Sequence, residues 1–537
     1  MKSERAYSAI VAWCVGLVLL APGLWAQVPG HVGFPQDWSE HNVVFSLDGL
    51  ARYPNLIAQE PRVRHQVMQR FRASDPNIRD AGVASPAVAA HHRDWSVPLG
   101  KGRLAANMFP AKYSFDPAAP PSCANDYVVF ALATAGATGG QANLVAFSNL
   151  YAGTGGLCGA APTVLFAYNV TTSPGGRIIT SPVISEDGTK IAFVESLGTS
   201  AVFHVVTWTA GQGTIASAAA PAAMTSLTYS PANANTTSSP WIDYGSDTVY
   251  VGADHGIMHK ITGVFKGTPT IAGSPWPITV SSGYRLGNPV LDDRLGMLIV
   301  GSRNGNVYGI DATAGALVST LVVGVHGGTN PGIVAPPIVD VTNGTTFVVS
   351  ANDGTSGVLV EANTANLQLV SKARIGLGSN GGTAVNILEP AFSNSYFNNP
   401  SNGDVHLCGT GAADTTPWHY SFGFTGTTMK TTPASKKQLL TSTAAICTGW
   451  TEFYNPNVNG GTDFYFFGLT QDCTGAGTSG CVVALTTATA PTVTAPVSGG
   501  PSGIVVDNYS TAGQASSIYL TAEKVNTAYK FTQNGLQ

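Results

Sequence analysis

The sequence predicts an all-β fold, a β-propeller of four-stranded blades. Three observations carry that prediction. A unit of roughly 50 residues recurs along the chain, glycine-centred hairpin turns fall at matching places within it, and the composition favours strands and tight turns over helices.

Each unit opens at a proline, where a strand start tolerates a missing N–H. Ser181-Pro182-Val183-Ile184 leads through Glu186-Asp187-Gly188 to Ile191-Ala192-Phe193-Val194. Ser239-Pro240-Trp241-Ile242-Asp243 leads to Val249-Tyr250-Val251-Gly252. Asn288-Pro289-Val290-Leu291-Asp292 leads to Leu298-Ile299-Val300-Gly301, and Pro336-Pro337-Ile338-Val339-Asp340 to Phe347-Val348-Val349-Ser350. The turns Asp254-His255-Gly256, Arg303-Asn304-Gly305 and Asn352-Asp353-Gly354 follow, each with a glycine suited to positive φ. A third apolar run and a weaker fourth, such as 316–323, close the unit. Looser copies on both sides bring the count to eight, with seven as the alternative if one copy is misread.

Charged residues are 10 % of the 537 and the formal net charge is −4, which excludes the strongly basic footprint of a nucleic-acid binder. A hydrophobic fraction of 44 % is too high for a chain without a core. The first 26 residues read as a signal peptide. Lys2 and Arg5 precede a nearly continuous apolar run, Pro22 and Gly23 break it, and Leu24-Trp25-Ala26 offers a cleavage site. An uncleaved anchor is the competing reading. The expected location is therefore secreted or periplasmic, with no transmembrane helix after cleavage.

Cys14 leaves with that segment, so six cysteines remain for disulfides, which suit an exported chain. Six cysteines allow 15 pairings. The blade layout favours three: Cys123 with Cys158 in loops at one end of a blade, Cys408 with Cys447 on inner strands of consecutive blades, and Cys473 with Cys481 across a short hairpin. A metal site would want close pairs such as C-x-x-C, and none occurs.

Residues 27–107 form an N-terminal extension, and the propeller takes 108–537. The extension repeats one tripeptide, Asp37-Trp38-Ser39 and Asp94-Trp95-Ser96. Residues 60–72 are expected to form a short helix with Val63, Val67 and Phe71 on one face. Its four arginines make it a solvated docking helix or, alternatively, a site for anionic polymer or lipid headgroups.

The run from Gly301 through Asn304-Gly305-Asn306-Val307-Tyr308-Gly309-Ile310-Asp311-Ala312-Thr313-Ala314-Gly315 resembles the repeat of PQQ-like, quinoprotein-dehydrogenase-like propellers, with its glycine-turn hairpin and strand ending in Asp-Ala-x-x-Gly. The resemblance spans 178–376 and implies a propeller. Pyrroloquinoline quinone and Ca²⁺ would follow from it only if the enzymes' hallmarks were present. No two cysteines are adjacent, Val318-Ser319 stands where the blade motif usually has tryptophan, and there is no C-x-x-C-H haem site. No cofactor and no metal are therefore expected, and the reading leans away from an enzyme.

Gly376-Leu377-Gly378-Ser379-Asn380-Gly381 matches a dinucleotide pattern, but no helix is expected after it, so it reads as a turn between blades. His91-His92 lacks an obvious third ligand. The candidate site is geometric instead. Turns between second and third strands gather at one end of a propeller around the channel, so Asp254, His255, Arg303, Asn304, Asn352 and Asp353 are expected to ring that face. Their alternative role is turn chemistry. The function expected is a monomeric binding or scaffold module for a protein or polysaccharide partner. A quinoprotein-like oxidoreductase and a structural envelope component are the alternatives.

Overall fold

The structure, a computed structural model, describes strands at Phe34–Gln36 and Val43–Val44 and residues 91–537, except 115–120, 231–234, 328–329, 381, 456–460, 474–478, 487–492, 509–513 and 534–537. The expected signal peptide and the helix at 60–72 lie outside the described residues.

Eight antiparallel sheets follow one another along the chain, which decides eight blades over seven. Blade 1 holds Ala111–Ser114, Tyr127–Ala131, Leu144–Ser148 and Thr163–Tyr168. Blade 2 holds Val183–Ile184, Lys190–Ser196, Ala201–Thr207 and Ala223–Ser230. Blade 3 runs from Trp241–Asp243 through Thr248–Gly252 and Ile257–Thr262 to the short outer pieces Thr270–Ile271 and Ile278–Thr279. Blade 4 is Val290–Asp292, Met297–Gly301, Asn306–Asp311 and Ala316–Val322, and blade 5 is Ile338–Asp340, Thr345–Ser350, Val358–Asn363 and Leu369–Arg374. Blade 6 is Ala391–Phe392, Asp404–Thr410, Pro417–Thr425 and Ser435–Gln438, and blade 7 is Thr451–Asn455, Thr462–Leu469, Ser479–Thr486 and Val493–Ser498. Blade 8 takes Val505–Asn508, Ser516–Thr521 and Thr527–Gln533 from the C-terminus.

Its fourth strand comes from the other end of the chain. His91–Pro98 pairs antiparallel with Thr527–Gln533, from His91 opposite Gln533 to Pro98 opposite Thr527. The sequence reading placed these residues in the extension, because a lone strand that completes a sheet more than 400 residues away carries no repeat signal of its own. Ring closure is thus made by main-chain hydrogen bonds, and no blade is left open at the seam.

Local chemistry explains the repeat. The aspartate ending an inner strand accepts hydrogen bonds from the turn that follows. Asp340 Oδ1 takes the N–H groups of Thr342 (2.9 Å) and Asn343 (3.0 Å), and Asp292 Oδ1 takes that of Leu295 (3.0 Å). In the Asp-Ala-x-x-Gly run, Asp311 Oδ1 likewise accepts from Thr313 and Ala314. Gly305 adopts φ +87°, and a Cβ there would stand 2.2 Å from the carbonyl oxygen of Gly324, so the turn needs glycine for both conformation and space.

Second strands such as Met297–Gly301 are buried along their whole length, because both faces of each blade pack on neighbours. Apolar clusters bridge blade to blade around the whole ring. One runs through blades 3 to 6, and others join blades 7 and 8, 8 and 1, 1 and 2, 2 and 3, and 6 and 7. The seam between blades 8 and 1 adds a buried ion pair, Lys112 Nζ lying 2.9 Å from Asp507 Oδ2, and within blade 8 Lys530 Nζ lies 2.5 Å from Asp94 Oδ2 on the strand that closes the ring.

All three disulfides favoured by the blade layout are present: Cys123–Cys158, Cys408–Cys447 and Cys473–Cys481. The placement of the second differs in detail. Cys408 is on the second strand of blade 6, and Cys447 lies ahead of the inner strand of blade 7, bridged to Leu469. No helix among the described residues is long and apolar enough to cross a membrane.

Candidate binding face

In every blade one residue stands two positions ahead of the inner strand: Phe109, Ser181, Ser239, Asn288, Pro336, Glu389, Gly449 and Gly503. These eight form a ring at one mouth of the channel, and the first four are linked directly. Phe109 N donates to Ser181 Oγ (3.0 Å), Ser181 N to Ser239 Oγ (2.9 Å), and Ser239 N to Asn288 Oδ1 (2.5 Å). A small polar side chain before each proline thus satisfies the preceding blade's buried N–H. The signal was visible in the sequence as Ser-Pro, Ser-Pro and Asn-Pro, but its meaning needs blades placed side by side. The two glycines of the ring make room for their neighbours. A Cβ at Gly449 would meet Glu389 Oε1 at 2.2 Å, and one at Gly503 would meet the Phe109 ring.

Five of these positions, Phe109, Ser181, Asn288, Pro336 and Glu389, line a cavity of about 380 Å³, within the size range of ligand sites. Its lining includes Asn107, Arg177, Asn288, Arg303, Asn386 and Glu389. Glu389 is 3 % exposed, and burial pushes its pKa up to about 7. Arg177 is exposed at the rim.

The six residues expected to share a function divide into two groups. Arg303 lines the cavity and Asp254 lies within its electrostatic reach, and both are held by Arg285, which no motif singles out. Arg285 Nε lies 3.1 Å from Asp254 Oδ2, and Arg303 N donates to the Arg285 carbonyl. Burial raises the Asp254 pKa more than Arg285 and Arg303 lower it, and Asp254 Oδ1 is buried without a hydrogen-bond partner. Burial lowers the Arg303 pKa, and repulsion from Arg285 adds to that. His255 is exposed at the tip of the same turn.

The remaining three serve their own turns. Asn304 donates to Ser281 Oγ (3.0 Å) and the Tyr308 hydroxyl (2.7 Å) while accepting from Asn306 N. Asn352 is buried, donates to the Ser379 carbonyl and accepts from Gly354 N. Asp353 accepts from the Thr355 and Ser356 N–H groups and pairs with Lys372 Nζ at 2.7 Å. Burial works to raise its pKa, but Lys372 and those donors hold it at about 2.

Two histidine clusters lie elsewhere. In blade 2, His204 bridges Ser226 Oγ (2.9 Å) and Glu195 Oε2 (3.0 Å), and Glu195 is held in turn by Thr172 N. The order is that of a hydrolytic triad, but Ser226 stands on an outer strand, apart from the channel-mouth cavity, so the line ties strands together. In blade 6, His406 Nδ1 and His419 Nε2 lie 3.0 Å apart, stacked and buried.

The donor set does not fit a quinone with its calcium ion. The six cysteines among the described residues are committed to three separate disulfides, none lines the channel-mouth cavity, and among the described residues no trio of His, Cys, Asp or Glu is placed to share a metal ion.

No protein-family model and no curated protein sequence matches the chain. Solved propellers do. The propeller of Dos1 is 11 % identical and covers 82 % of this chain and 95 % of its own, with a TM-score of 0.50. BamB from Moraxella catarrhalis is 12 % identical over 82 % of this chain and 98 % of its own, with a TM-score of 0.47. The computationally designed Ika8 protein, 11 % identical over 82 % of this chain and 100 % of its own, also scores 0.47. At such identities the likeness establishes the propeller fold and nothing about activity.

Proposed function

We propose that this chain is an exported propeller acting as a binding or scaffold module, and that it engages a protein partner through the face carrying Arg285, Arg303, Asp254 and His255. The observation that carries the reading is the pair of arginines at the channel mouth: Arg285 Nε lies 3.1 Å from Asp254 Oδ2, and Arg303 lines the cavity and donates to the Pro331 carbonyl. Half-buried guanidinium groups beside a polar cavity recognise carboxylates or carbonyls of a partner segment by directional hydrogen bonds. Export is supported by the three disulfides and by the N-terminal 26 residues.

The test is capture with the native, disulfide-bonded protein. Chemical crosslinking and mass spectrometry should recover a partner that Arg285→Glu/Arg303→Glu loses at least tenfold. The control Lys436→Glu/Lys437→Glu, on the outer strand of blade 6, should retain it. Equal capture by both variants would remove the face from consideration, and a quinone absorption band in the native protein would favour the oxidoreductase reading.

A further inference from the structure

The ring at the channel mouth changes character at blade 5. Up to blade 4, the side chains of Ser181, Ser239 and Asn288 each take the N–H of the ring residue before them. Blade 5 puts Pro336 in that position, and proline has no N–H to give. The next ring residue, Glu389, therefore carries an acceptor that the ring does not use. Blade 7 follows with Gly449, which leaves room for that acceptor: a Cβ there would stand 2.2 Å from Glu389 Oε1.

Glu389 is 3 % exposed and lines the 380 Å³ cavity. Among the described residues its carboxyl accepts from its own main-chain N–H alone. A buried carboxylate is costly until it gains a cation, so this one is a ready partner for a ligand that brings one. Arg177 and Arg303 line the same cavity, Arg177 exposed and Arg303 fixed by a hydrogen bond from Nη1 to the Pro331 carbonyl (3.3 Å). Neither arginine shifts Glu389, which burial drives up. Acid and arginines thus occupy separate walls of one cavity, with Met108 and Leu388 adding apolar surface. A ligand that satisfies both walls carries opposite charges at its two ends. Two to three extended residues reach roughly 7–11 Å, a length suited to a cavity of this size.

We propose that the channel-mouth cavity binds a short peptide with both termini free, its α-ammonium on Glu389 and its α-carboxylate on Arg177 and Arg303. The ammonium supplies the cation that the ring withholds from Glu389, and the guanidinium groups take the carboxylate through directional, charge-assisted hydrogen bonds. This goes beyond the protein-partner reading, with which it shares Arg303 alone.

Isothermal titration calorimetry of the full, disulfide-bonded protein with alanyl-leucyl-alanine is the test. At pH 7.5 both Glu389, held by burial at about 7, and the peptide amine are mostly charged. The free tripeptide should bind at millimolar concentration or below. Acetylating its amino end, or amidating its carboxyl end, should weaken binding at least tenfold. Glu389→Gln should lose at least tenfold toward the free peptide and nothing further on acetylation. Arg177→Gln/Arg303→Gln should lose as much, and nothing further on amidation. Near-ultraviolet circular dichroism matching the parent shows each variant folded, and the capped peptides probe both pairings without any substitution. No binding of the free tripeptide at millimolar concentration, or equal binding of free and capped forms, would overturn the site. Partner capture that Arg285→Glu/Arg303→Glu abolishes and Glu389→Gln retains would still leave the arginine face standing.

Discussion

Replacing Lys112 by methionine tests whether charge, and not only apolar packing, holds the seam between first and last blades. Lys112 and Asp507 are both fully buried, 2.9 Å apart, on the inner strands of blades 1 and 8. Asp507 also accepts from the Tyr151 hydroxyl at 2.9 Å. Burial raises the Asp507 pKa and Lys112 works against that, so methionine leaves a buried carboxylate without its cation. Removing one member of such a pair costs about 3–5 kcal/mol. With roughly 450 residues between 91 and 537 at ~2.1 cal/mol/K each, the unfolding entropy near the midpoint is about 0.9 kcal/mol/K, so the cost appears as a fall in melting temperature of roughly 3–5 °C. Calorimetry at pH 7.5 should show it. The deficit should narrow at pH 5, because a protonated Asp507 needs no counter-charge. Lys112→Met/Asp507→Asn should recover at least half of the loss. A loss under about 1 kcal/mol for the single variant, or additive losses in the double, would refute the account.

Two further perturbations follow from the same physics. Cys123→Ser/Cys158→Ser opens a loop of 35 residues, for which chain entropy gives about 4 kcal/mol as an upper figure; chemical denaturation should show a clear loss, larger than that for Cys473→Ser/Cys481→Ser, whose loop spans 8. Burial holds His406 well below its ordinary pKa, with His419 adding repulsion, and burial together with Lys437 holds His419 at about 4. Both stay neutral in the fold while the unfolded chain takes up protons, so their contribution is complete above about pH 6.5 and is lost as pH falls toward 4. Glu389 works the other way below pH 7, so the informative quantity is variant against parent. His419→Gln should flatten the loss of stability between pH 6.5 and 4 by up to about 1.4 kcal/mol per pH unit, and identical melting profiles would contradict it.

Much of the fold was legible because its unit is local. Strand, Asx turn, strand and glycine turn are written within some twenty residues, and Asp340, Asp311 and Gly305 do in the structure what their residue types suggest. The disulfides were legible for a related reason, since the blade layout narrowed 15 pairings to one set. The candidate face was legible only in part. Asp254 and Arg303 converge, but Asn304, Asn352 and Asp353 are taken up by their own turns, and Arg285 sits in an irregular connection with no periodic signal.

The sequence by itself determined a chain of repeated four-stranded blades, their turn chemistry and a favoured set of cysteine partners, because each depends on residues close together or on a repeated period. The tertiary structure alone decided how the ring closes, what surrounds its mouth, and where the arginines meet an acid. Those depend on contacts such as Lys530 to Asp94, 436 residues apart, and on ring positions that acquire meaning only when eight blades stand side by side. A local pattern cannot encode which distant partner satisfies a buried charge, since that choice is made by packing.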